Sequence, residues 1–143
     1  MRTGSLTGWS AEASGNLYVV GYADWWPHWI TRKSTNGGNS WTTVHDFLPK
    51  LGWGIANAVG VDSNGNVSVV GRATGKGFGL SWNWCVRRST GGTGAWQTVD
   101  AFQYLTNTAS EALGVVGDAS GHVFVAGYGQ DASRQYHWLL RKN

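Results

Sequence analysis

Charge is what this sequence has least of. Eleven basic and eight acidic residues make up 13% of its 143 positions, where about a quarter is usual, and only two of the acids are glutamates, Glu12 and Glu111. Such a chain does not build long salt-bridged helices or a self-repelling disordered tail. No stretch carries apolar residues at i, i+3 and i+4 over a useful helical length. Cys85 is the single cysteine, so no intrachain disulfide can form, and it reads as a small buried hydrophobe within a strand. The opening "MRTGSLTGW" has no basic-then-apolar leader, and no apolar run approaches membrane-spanning length. A soluble chain with no membrane partner is expected, with room for an origin in a larger exported protein. The net charge is +3, but six of the eleven basic residues form three equivalent pairs, Arg32-Lys33, Arg87-Arg88 and Arg141-Lys142. Neighbours on a strand point to opposite faces, so these pairs make no basic stripe and no nucleic-acid partner is expected.

What is abundant is glycine, 22 residues, and tryptophan, ten residues. Many turns and many aromatics suit a compact β protein. An internal repeat organises them. "GNLYVVGY" at 15–22, "GNVSVVGR" at 65–72 and "GHVFVAGY" at 121–128 are versions of one strand. "WITRKST" at 29–35, "WCVRRST" at 84–90 and "WLLRKN" at 138–143 are versions of the next. "WTTVHDF" at 41–47 and "WQTVDAF" at 96–102 supply another, without a third copy. A further strand precedes each unit: "SLTGWSAE", "IANAVGVD" and "SEALGVVGD". Asn-Gly in "DSNGN" at 62–66 marks the hairpin between first and second strands. Four antiparallel strands recurring about every 54 residues predict an all-β propeller. Its three blades span about 4–48, 54–103 and 109–143, the last lacking its outer strand.

Between the third and fourth strands stand "RKSTNGGNSW" at 32–41 and its worn copy "RRSTGGTGAW" at 87–96. This segment resembles the Asp-box, Ser-x-Asp-x-Gly-x-x-Trp, of the sialidase-like (BNR) repeat family. Ser34, Gly38 and Trp41 match, with Asn36 at the acidic position; in the second copy Ser89 and Trp96 match. The resemblance implies turn-forming elements on the face away from any active site. The residue types agree, because Ser and Asn side chains bond nearby backbone N–H groups and glycine supplies positive φ. Trp41 and Trp96 are expected to anchor the hairpins by burying apolar area between blades. These six residues read as structural.

The resemblance also raises glycoside hydrolysis, because the family's enzymes use an arginine triad, a tyrosine–glutamate pair and an acidic proton donor. No motif assigns Arg32, Arg87 and Arg141 to such a triad, and they read as repeated surface or inter-blade residues. Glu12 and Glu111 lie in or beside the innermost strands at nearly equivalent places, and nothing makes them face each other. No catalytic residue is assigned, and no cofactor. "DSNGN" has its glycine at the fourth and not the sixth position of a calcium loop, with Ala73 where the closing acid would stand, and His28, His45, His122 and His137 show no zinc spacing, so no metal is expected. Binding residues are sought in the connections that vary most, those after the second and fourth strands. Asp24, Trp25, Trp26, His28, Trp53, Phe78, Tyr104 and Tyr136 are the candidates, either as a glycan platform or as a cover for the inter-blade core. Three blades fall short of the four or so a closed ring needs. A head-to-tail homo-oligomer is therefore expected, a dimer giving six blades or a trimer nine. The overall expectation is a non-enzymatic repeat module, with a sialidase-like glycosidase fragment or a pure scaffold as alternatives.

Overall fold

The computed structural model describes residues 4–49, 52–74 and 81–143. Eleven strands and one short 3-10 turn account for its regular structure among these residues. The first sheet holds β1 (Gly4–Ala11), β2 (Leu17–Ala23), β3 (His28–Ser34) and β4 (Thr42–Phe47). The second holds β5 (Gly54–Val61), β6 (Val67–Thr74), β7 (Trp82–Ser89) and β8 (Trp96–Phe102), with the 3-10 turn at Thr90–Gly92. The third holds β9 (Ser110–Gly117), β10 (Val123–Gln130) and β11 (Tyr136–Lys142). Each sheet is an antiparallel meander in chain order, four, four and three strands wide. Among the described residues no helix is long and apolar enough to cross a membrane.

Tight turns set each meander. In the first hairpin of each sheet a glycine adopts positive φ: Gly15 at 90°, Gly65 at 75° and Gly121 at 82°. In the second and third sheets an aspartate closes the same turn. Asp62 Oδ1 accepts from the N–H groups of Asn64 and Asn66, and Asp118 Oδ1 from those of Ser120 and His122. One carboxylate oxygen of "DSNGN" is thus spent on its own backbone, which is the physics of an Asx turn, while the other accepts from Arg88.

The sheets stack face to face like propeller blades. β5 lies against β1, β2 and β3, and β9 lies against β5, β6 and β7. Two cores result. Tyr18, Val20 and Trp29 of the first sheet meet Val67, Val69 and Cys85 of the second. Val70, Trp84 and Val86 on its other face meet Ala112, Val123 and Val125 of the third. β6 is therefore apolar on both faces, as a strand covered on both sides must be. Burying an indole the size of Trp29 or Trp84 contributes up to about 5 kcal/mol, an upper bound because unfolded chains already bury some surface.

Each first strand carries a β-bulge, and the bulges of the first two sheets join neighbouring sheets. Thr7, Asn57 and Leu113 are the extra residues, each left without a register partner. The bulge turns a side chain out of the pleat. Thr7 Oγ1 donates to the Ala56 carbonyl at 2.6 Å, and Asn57 Nδ2 donates to the Ala112 carbonyl at 2.8 Å. Arginines join the outer parts. Arg87 lies 4.2 Å over the Phe47 ring, and Arg141 lies 4.1 Å over Phe102 while pairing with Asp100.

The serine–tryptophan seams differ from one another. Ser34 Oγ accepts from the Gly38 N–H at 2.9 Å, Asn36 Oδ1 from the Ser40 N–H at 2.9 Å, and Trp41 Nε1 donates to the Gly38 carbonyl at 3.0 Å. In the second copy Ser89 Oγ donates to the Gly94 carbonyl at 3.3 Å. Trp96 Nε1 reaches instead to Val44 of the first sheet, and its ring stacks on His45 at 4.4 Å. Trp96 thus packs between sheets as expected, whereas Trp41 closes its own turn, because no sheet covers the face it lies on.

Candidate functional site

A cleft opens between the second and third sheets, at the end where β6 and β10 finish and β7 and β11 begin. It has a volume of about 570 Å³ and is lined by Arg72, Trp82, Asn107, Tyr128, Gln130 and Tyr136, among others. The cleft lies where strands of two different blades end side by side, a usual place for a ligand.

At its base is a polar cluster around Glu111, which is buried. Tyr128 donates its hydroxyl to Glu111 Oε2 at 2.7 Å, Arg72 approaches the same oxygen at 3.1 Å, and Asn57 donates to Oε1 at 2.8 Å. Strand register explains the first contact, because Glu111 and Tyr128 are direct cross-strand partners on β9 and β10. The Arg72 guanidinium is held 4.5 Å over Trp82 and 5.8 Å over Trp53, whose rings meet edge to face. Burial, and then the hydrogen bond to Glu111, push the Tyr128 phenol up to about 12, so at neutral pH Tyr128 is a donor and not an anion. Arg72 and Glu111 pair with each other, and the lining adds one further cation, Arg134. The cleft offers aromatic ring faces, amide groups of Asn107 and Gln130, and one cation.

The sequence candidates divide. Trp53 packs edge to face on the lining Trp82 at 4.1 Å, and Tyr136 lines the cleft, edge to face with Tyr128 at 5.0 Å. Tyr104 packs beside it, stacked on His137 at 5.2 Å. Asp24, Trp25 and Trp26 lie on the first sheet's β2–β3 connection, His28 opens β3, and none of them lines the cleft. Trp25 is 94% exposed and Trp26 also stands in solvent, so neither covers a core. His28 is held by Asp46, Nδ1 to Oδ1 at 2.8 Å. Phe78 lies outside the described residues. Glu12 and Glu111 are not equivalent: Glu12 follows β1 where Asp62 and Asp118 stand in the other sheets, while Glu111 occupies the register position of Ser5 and Ile55. The bulges and the alternation of sheet ends account for this correction, since the two residues fall at opposite ends of the inner strands.

Sequence reading missed Arg72, Trp82, Glu111 and Tyr128. One signal was present. Tyr22, Arg72 and Tyr128 share the register position just after the repeated glycine, where an otherwise constant strand varies. Among the described residues no group of three His, Cys, Asp or Glu could hold a metal ion. A scan against protein-family models finds no match for this chain. A search of curated proteins returns none at a significant level.

Proposed function

We propose that this chain is a non-enzymatic β-propeller module that closes a ring with copies of itself and holds a glycan in the cleft between its second and third blades. One observation carries the reading. The first and last sheets each present an apolar face whose counterparts within the chain are buried or half-buried. Trp9 is 73% exposed on β1 and Trp138 is 87% exposed on β11, with Leu6, Leu113, Val116 and Leu140 beside them. Patches of this kind on a water-facing protein mark an interface. The native mass in solution tests it: a dimer corresponds to six blades, a trimer to nine, and a folded monomer at high concentration ends the ring reading.

Glycan binding is supported by exposed ring faces beside amide groups, the arrangement that packs a sugar's C–H face while bonding its hydroxyls. A glycan panel should shift tryptophan emission, and Trp82→Ala should abolish the shift without unfolding the chain. An unchanged spectrum across the panel leaves a scaffold without a small ligand. A second reading, a sialidase-like glycosidase, is favoured by the Tyr128–Glu111 hydrogen bond beside Arg72. It predicts turnover of a fluorogenic glycoside that Glu111→Gln removes, and a flat assay eliminates it.

A further inference from the structure

Tryptophan recurs at one register position of the third strand in every sheet: Trp29 opposite Tyr22, Trp84 opposite Arg72, Trp138 opposite Tyr128. The first two are buried against the inner strands of the following sheet. Trp29 fits over Gly54, where a Cβ would come within 2.5 Å of its Nε1, and donates to the Arg72 carbonyl at 3.1 Å. Trp84 fits over Gly127, where a Cβ would lie 2.7 Å from its ring. Each tryptophan therefore needs a glycine in the sheet it enters. Trp138 has the same stem and no sheet in front of it.

The matching receptor is present at the other end of the chain. By register, Gly4 on β1 corresponds to Gly54, and Gly21 on β2 corresponds to Gly71 and Gly127. Both line a cavity of about 290 Å³ on the open face of the first sheet, together with Leu6, Val19, Ile30 and Arg32. The nearest atoms to a Cβ built at Gly4 or Gly21 belong to their own sheet, with no tryptophan seated there. On the covered face of the second sheet, Ala56, Val69 and Cys85 stand where Leu6, Val19 and Ile30 stand in the first, and all three are buried.

We propose that Trp138 of one copy enters this glycine-floored socket on the first sheet of another copy, repeating the Trp29–Gly54 and Trp84–Gly127 contacts between chains. The inference rests on the ring reading above and names the contact that closes it. The occupant is a second copy because the socket continues, element for element, an interface the chain already makes twice. The contact is head to tail, so a two-fold dimer contains it twice and leaves neither face open. One feature is not repeated: Leu113 replaces the bulge donors Thr7 and Asn57, which makes this third interface more apolar than the two within the chain.

The test compares the native mass of the unaltered chain, Trp138→Ala and Leu6→Glu over a concentration series. Both side chains are exposed in the single chain, so circular dichroism should show each variant folded. A buried indole anchor counted twice per ring should weaken dimerisation about a thousandfold when removed. The expected result is a dimer for the unaltered chain and folded monomers for both variants. A dimer that survives both substitutions leaves the ring reading standing and overturns the knob and socket. Dissociation by Trp138→Ala alone places the tryptophan in some other receptor and overturns the proposal too. A monomeric unaltered chain overturns both readings together.

Discussion

Acid should loosen the join between the first and second sheets at His45. This imidazole is buried and lies between aromatic rings, 4.4 Å from Trp96 and 5.8 Å from Phe47. Its Nε2 accepts a hydrogen bond from Arg87 Nε at 3.3 Å, which only a neutral ring can do. Burial first, and the Arg87 charge second, pull its pKa down from 6.5 to about 4, against a smaller upward pull from Asp46. At 1.4 kcal/mol per tenfold the difference is worth about 3 kcal/mol, against a total of about 5–15 for an ordinary domain. The unfolded chain protonates this histidine near pH 6.5 and the folded chain near 4, so the unfolded state binds more protons in between. The stabilisation is present in full above pH 6.5 and is lost as the pH falls towards and through about 4. Denaturant unfolding followed by tryptophan emission across that window measures it. His45→Phe keeps the ring stack and removes the titration, so its stability should fall about 3 kcal/mol less than that of the unaltered chain over the same window. Parallel loss in the two proteins would refute the argument.

The repeated tryptophans give an internal comparison. Trp84→Ala should cost about 3–5 kcal/mol, while Trp138→Ala, measured by unfolding in dilute solution, should change stability by less than about 0.5 kcal/mol. Equal losses would mean that Trp138 is packed within its own chain. The Cys85 thiol, pushed up to about 12 chiefly by burial, should resist an aromatic disulfide reagent until denaturant is added; rapid labelling of the folded chain would contradict its placement. Gly91 and Gly92 both adopt φ of 67°, yet a Cβ at Gly91 meets nothing while one at Gly92 comes within 2.7 Å of Tyr18. Gly91→Ala should therefore cost about 1 kcal/mol of backbone strain and Gly92→Ala about 1–3 kcal/mol more, read as a difference in thermal unfolding.

Strands were legible because a period-two pattern repeated three times leaves little freedom of register, and all eleven fall within two residues of their expected bounds. The seam around Ser34 and Asn36 was legible too, because its bonds run between residues close in sequence. The bulges were not. Thr7 and Asn57 look like ordinary strand residues until the register slips beside them, and their bonds run to another sheet. The cleft was hidden for the same reason. Arg72, Glu111 and Tyr128 come from β6, β9 and β10, and no local spacing records that stacked sheets bring them together. Trp25 and Trp26 drew attention as a pair of large side chains, but packing left them in solvent, away from the cleft.

The double covering of β6 bears on how the molecule opens. Its first five residues, Val67–Gly71, are all buried, with one core on each side of them. A sheet at either flank can peel away by giving up one core, but the β6 amides meet solvent only when both are lost. Backbone amide exchange should thus be slowest along β6 and faster in β4 and β11, which open by local fraying. The order of protection would follow the stacking of the sheets, with the middle of the stack exchanging at the rate of global unfolding.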